Sequence, residues 1–104
     1  MTRRRIWWIA SAICLTASVV AHAASITVDS TADDMDLGSN GNCTLREAIQ
    51  AANTDAAVDG CAAGAGHDLV LVPAGSYGLV ILGTGENGNL TGDLDIASDL
   101  DLEG

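Results

Sequence analysis

Phenylalanine and lysine are absent from this chain, proline occurs once, at Pro73, and Trp7, Trp8 and Tyr77 are the only aromatic residues. Both tryptophans fall within the first eight positions. A core built downstream of them must therefore use Leu, Ile, Val and Ala, and there is no aromatic platform on which a sugar ring could stack. Basic residues are nearly as scarce. Arg3, Arg4 and Arg5 sit at the start, so Arg46 alone faces all 14 acidic residues over Ala24–Gly104, a net charge of −13 for that part. A surface of that sign is repelled by nucleic acid and by anionic membranes, which excludes nucleic-acid binding and favours high solubility.

Long apolar runs are also missing, with one exception. Met1-Thr2-Arg3-Arg4-Arg5 is a cationic start, Ile6 to Val20 is apolar, and Ala21-His22-Ala23 is a small-residue cleavage site. This is the layout of a secretory signal peptide over residues 1–23. At about 15 residues the apolar run is short for a spanning helix, which needs roughly 20, and an uncleaved membrane anchor is the alternative reading. Cleavage removes Cys14 and leaves no segment for membrane insertion. The expected destination is the periplasm, the extracellular space or the outer surface.

The remaining 81 residues make a small scaffold, which buries only about 60% of its unfolded surface and usually needs a staple. Cys43 and Cys61 are the cysteines left, and export places them in an oxidising compartment. A disulfide between them is the economical expectation, worth roughly 3 kcal/mol by chain entropy; two free thiols are the alternative.

Along the chain, Ser25-Ile26-Thr27-Val28-Asp29 alternates like a strand, and Ser30 to Asn42 is a polar loop. Thr44 and Glu47 then form an S/T-x-x-E capping box. Leu45, Ala48, Ile49 and Ala52 make one apolar helical face, Arg46 and Gln50 lie on another, and Asn53 is placed to end the helix. So short a helix does not persist alone in water and must dock on something apolar. After a small-residue loop carrying Cys61, Asp68 to Val72 reads as a strand buried on both faces, Pro73 to Ser76 as a turn, and Tyr77 to Leu82 as another strand. Gly83 to Gly92 is a second loop. Asp93-Leu94-Asp95-Ile96-Ala97-Ser98 is then nearly repeated by Asp99-Leu100-Asp101-Leu102-Glu103-Gly104. Leu94, Ile96, Leu100 and Leu102 would face inward and the four aspartates outward, as in the coils of a parallel solenoid. A two-strand sheet edge is the simpler reading.

Cys43-Thr44-Leu45-Arg46-Glu47-Ala48-Ile49 closely resembles the CSLREA signature, with Thr44 in place of the usual Ser. That segment lies near the N-terminus of secreted bacterial proteins with right-handed parallel β-helices, in the broad pectin-lyase-like superfamily. The resemblance extends to Ile26-Thr27-Val28, to Ser30-Thr31-Ala32-Asp33-Asp34, to Gln50-Ala51-Ala52-Asn53 and to Leu71-Val72-Pro73-Ala74-Gly75-Ser76-Tyr77. It implies a mainly β fold, the start of a right-handed parallel β-helix closed by a short N-terminal capping α-helix. Residues 24–67 would form the cap and residues 68–104 the first coils. Members of this family usually continue for many coils, so the resemblance also implies a truncated product, or a piece that needs further coils or a surface partner.

Chemistry is harder to find. Asp36, Asn40, Asn42 and Glu47 fall at positions 1, 5, 7 and 12 of an EF-hand-like loop, with Gly41 at the sharp turn, which makes them candidate calcium ligands. Gly38 at position 3 offers no side chain, no helix precedes the loop, and Glu47 already has a capping role, so a plain turn is the simpler reading. Asp93, Asp95, Asp99 and Asp101 would stack in rows, either solvated or bridged by a cation. A polysaccharide lyase abstracts a proton beside a uronate carboxylate and wants cationic groups, which Ala24–Gly104, with Arg46 alone, lacks. His67 beside Asp68 invites a dyad with Ser76 or Ser25, without a nucleophile motif to support it. Catalytic residues are therefore not assigned, nor is a cofactor or a metal beyond the calcium candidates. The expectation is a non-enzymatic module with a structural or adhesin-like role. The alternatives are the N-terminal fragment of a carbohydrate-active β-helix enzyme and a small calcium-binding periplasmic module.

Overall fold

A computed structural model of the chain describes residues 22–35 and 40–104. Most of the expected signal peptide and the candidate ligand Asp36 lie outside the described residues. The elements are β1 (Ala24–Thr27), α1 (Leu45–Thr54), β2 (Asp68–Leu71) and β3 (Leu100–Glu103). The strands form one open sheet in the order β1-β2-β3, with both pairings parallel. Parallel neighbours need a crossover. The first passes through α1, which packs on β1 and β2, and the second, residues 72–99, contains neither helix nor strand. The architecture is thus mixed, three parallel strands and one helix, rather than mainly β.

The register explains the core. Ile26, Val70 and Leu102 form one ladder and point to one face, as do Ala24, Asp68 and Leu100, because side chains alternate along a strand. Ile26 and Val70 are 0% exposed and pack with Val28, Ala48, Ala51, Ala52, Val58 and the two cysteines. Leu102, in the same ladder, is 48% exposed. Burial falls across the sheet because α1 packs on β1 and β2. Gly64 allows the loop after Cys61 to close on that helix. Its N–H donates to the Ala51 carbonyl at 3.3 Å, and a Cβ there would sit 2.6 Å from the same oxygen.

Four expectations need correction. The first strand ends at Thr27 because Asp29 turns away from the ladder: its N–H donates to the Cys43 carbonyl, and its carboxylate accepts the Cys43 N–H at 2.7 Å. The second strand is buried on one face only, with Leu69 and Leu71 half-buried. Tyr77 to Leu82 is not a strand. The N–H groups of Val80 and Ile81 both donate to Asp33 Oδ2, at 2.6 and 3.0 Å, and two successive N–H groups aimed at one oxygen cannot join a ladder. Asp93 to Ser98 is not a strand either, since side chains claim its backbone. Asn53 receives the Ala97 N–H and donates to the Asp95 carbonyl, while Asn89 receives the Asp95 N–H. Only the second half of the near-repeat pairs, so the rows of stacked aspartates do not form.

The helix also ends later than expected. Asp55, not Asn53, is the C-cap, at φ 54°, a left-handed conformation that Asp tolerates. Nor does α1 have a solvent face at Arg46. Arg46, Glu47, Ala48, Ile49, Ala51 and Ala52 are all buried.

The ladder asymmetry predicts unequal responses to truncation. Ile26→Ala should cost about 2–5 kcal/mol, as for other fully buried aliphatic residues. Leu102→Ala, on the same ladder, should cost about 1 kcal/mol or less. Denaturant midpoints of the two variants check this; equal losses would mean that β3 is as well covered as β1.

Candidate functional site

A dense group of polar side-chain contacts lies at the N-terminus of α1. Thr44 has extended geometry (φ −82°, ψ 166°), its Oγ1 accepts the Glu47 N–H at 3.2 Å, and Glu47 Oε1 accepts the Thr44 N–H at 3.1 Å. Both residues are fully buried. The expected capping box therefore sits inside the protein, where an unmade hydrogen bond costs most. Thr44 Oγ1 also donates to the Asp34 carbonyl at 3.0 Å, which ties the preceding loop to the helix start. Immediately before it, Cys43 is disulfide-bonded to Cys61, with Cα atoms 4.7 Å apart and a sequence separation of 18. The disulfide fastens the loop after α1 to the residue before it, so both ends of the helix are fixed.

Arg46 is the centre of the site. Its Nε donates to Asp33 Oδ1 at 2.6 Å, and Nη2 donates to Asp33 Oδ2 at 3.2 Å and to the Gly92 carbonyl at 2.7 Å. Nη1 donates to the carbonyls of Asn89 and Asp93, at 3.3 and 3.4 Å. A guanidinium has five N–H donors, and each has an acceptor here. Asn89 completes the clasp: fully buried and at φ 64°, it donates from Nδ2 to the Arg46 carbonyl at 2.8 Å. Its own N–H donates to Asp95 Oδ2. Glu86 holds the same loop from outside, accepting the N–H groups of Gly88, Leu90 and Thr91.

Electrostatics follow the geometry. Burial pushes the Asp33 carboxyl up, but hydrogen bonds from Arg46 and from the Ile81 and Val80 N–H groups outweigh it, and Asp33 is held below the usual carboxylate range. Glu86 is also lowered: desolvation raises it, and its three N–H donors more than compensate. With every donor engaged, Arg46 has none to offer a substrate carboxylate.

The other expected residues are used differently. Glu47 is committed to its cap. Asn40 Oδ1 accepts the Asn42 N–H at 2.9 Å, its Nδ2 donates to Asp34, and Gly41 donates its N–H to Asp59. Asn42 Oδ1 is buried without a hydrogen-bond partner. Asp68 does not pair with His67; its carboxylate, fully buried, accepts the Ala65 N–H at 2.7 Å. His67 Nε2 instead lies 3.4 Å from Asp101. An open depression of about 440 Å³ lies where the strands end, lined by Thr27, Leu71, Val72, Pro73, Glu103 and Gly104. It holds one carboxylate and no partner for acid–base work. Asp33 and Asn89 were not legible as partners of Arg46. The available signal was only that a lone cation among many acids must sit near one of them.

Removing one side of a buried pair strands the other, typically at about 3–5 kcal/mol. Arg46→Gln should therefore lower stability by roughly that amount. Asp33 supplies a pH signature: its folded value lies below the unfolded one of about 3.9. Its contribution is complete above that value and is lost as pH falls through the folded value. Asp33→Asn should be less stable at neutral pH and should lose less further stability on acidification below about pH 4. Melting curves across pH measure both; an unchanged acid profile would remove Asp33 from the clasp.

No family model, curated protein or solved structure matches the chain.

Proposed function

We propose that Ala24–Gly104 is an exported, non-enzymatic module that caps the start of a right-handed parallel β-helix in a secreted or surface protein, with a structural or adhesive role. The observation that carries this reading is the gradient along one ladder, from fully buried Ile26 and Val70 to half-exposed Leu102. α1 packs on β1 and β2, while β3 has no strand beyond it and carries half-exposed Leu102. An edge of this kind is a template for another strand. A further parallel coil would cover it and continue the ladders at the same register.

Export is part of the same reading. It rests on the cationic start, the apolar run to Val20 and the small-residue site before Ala24. The engaged donors of Arg46 and the single carboxylate of the strand-end depression support a structural over a catalytic role.

Two measurements test the proposal. Amide exchange should be fast at the outer N–H groups of β3 and slow in β2, and fusing parallel β-helix coils after Gly104 should slow β3 and raise the melting temperature. β3 amides already as protected as β2, or unmoved by the added coils, would overturn the cap. N-terminal sequencing of the exported protein should read Ala24 first; an intact Met1 would overturn cleavage.

A further inference from the structure

The chain contains two histidines, His22 and His67, and the fold brings both to the same carboxylate oxygen. His22 Nε2 is 2.7 Å from Asp101 Oδ2, and His67 Nε2 is 3.4 Å from it. The imidazole rings stand edge-on, 5.3 Å apart at an interplanar angle of 81°. One ligand atom from each residue lies within 4.8 Å of the other two. We infer that these three side chains form a site for a divalent transition ion of the zinc class in the uncleaved chain.

The start of the sheet helps set this geometry. His67 immediately precedes β2 and His22 lies two residues before β1, and the Ala23 N–H donates to the His67 carbonyl at 2.9 Å, extending the pairing by one step. Asp101 lies in β3, opposite Leu69, two residues beyond the level of His67. Ligands on adjacent strands are held at fixed spacing, which favours a preorganised site. Tetrahedral zinc, with metal–ligand distances of about 2.0–2.1 Å, places its ligand atoms roughly 3.3 Å apart. The His67–Asp101 separation already meets that. His22 must rotate to open its 2.7 Å contact with Asp101, and Asp101 and His67 are about half exposed, which leaves room for it and for a water as fourth ligand.

Two imidazoles and one carboxylate suit zinc, nickel or copper better than the oxygen-seeking calcium and magnesium. The acidic surface raises the local concentration of any cation. The site stands on its own geometry, but its lifetime depends on the export reading: His22 precedes the proposed cut before Ala24, so cleavage removes one ligand. In the precursor, the ion ties the segment ahead of the scissile bond to β3.

The test uses the full-length, disulfide-bonded chain in detergent, stripped of metal and titrated with Co²⁺ and Zn²⁺. One ion per chain at low-micromolar affinity, with the visible absorbance of tetrahedral cobalt, is expected. His22→Ala, His67→Ala and Asp101→Asn should each weaken binding by about tenfold or more, while Asp93→Asn should not, and far-UV circular dichroism should confirm that all four variants fold. Binding absent at 100-fold lower affinity than this, or unaffected by losing either histidine, would overturn the site. Because the uncleaved chain is used, that result does not depend on whether export or capping is correct.

Discussion

A single buried guanidinium holds this protein together. Arg46 has five donors and five acceptors, drawn from Asp33 and from three carbonyls between Asn89 and Asp93. Those acceptors come from segments that no strand or helix otherwise connects. Burying a cation is expensive unless it is paired and fully hydrogen-bonded, and both conditions are met at once. The interaction thus does what a β-ladder would do elsewhere: it fixes the long irregular crossover between β2 and β3 against the helix. Asp33 passes the constraint on, since its second oxygen also takes the Val80 and Ile81 N–H groups. Remove the guanidinium and the loops on both sides lose their common anchor.

The sheet is built around the same helix. α1 is buried nearly all round, with the disulfide at one end, the clasp at Arg46 and the alanines Ala48, Ala51 and Ala52 against Ile26 and Val70. Small side chains let the helix approach the strands closely, which compensates for the lack of aromatic volume. The result is a helix that packs on β1 and β2 and leaves Leu102 of β3 half-exposed.

Local signals carried the parts of the fold that local physics decides. The capping box at Thr44 and Glu47, the Cys43–Cys61 bridge and the strands near Ile26, Val70 and Leu102 were legible because each follows from residue type at short spacing. Tyr77 to Leu82 and Asp93 to Ser98 were misleading for one shared reason. Their apolar content is real, but their backbone groups are taken by side chains of other segments, Asp33 for the first and Asn53, Asn89 and Arg46 for the second. Propensity is a weak prior against such tertiary competition. The meeting of His22, His67 and Asp101 was equally invisible, since it depends on which strands are neighbours and in what register.

The acidity of the chain acquires a different meaning in this light. Read as charge, 14 carboxylates invite a search for cations. In the fold, eight of them accept backbone N–H groups: Asp29, Asp33, Glu47, Asp55, Asp59, Asp68, Glu86 and Asp95. That is more than half, and it matches the architecture. With three strands of four residues each, ladder bonds satisfy few backbone donors, and buried donors left unpaired are costly. Ionised carboxylates make the stronger charge-assisted bonds and can serve two or three N–H groups at once, as Asp33 and Glu86 do. The mutual repulsion of so many like charges is the cost of using them this way, and it is offset most where a cation joins the network. Among the described residues that happens at Arg46, which is why the only arginine there is buried at the centre rather than spread over the surface.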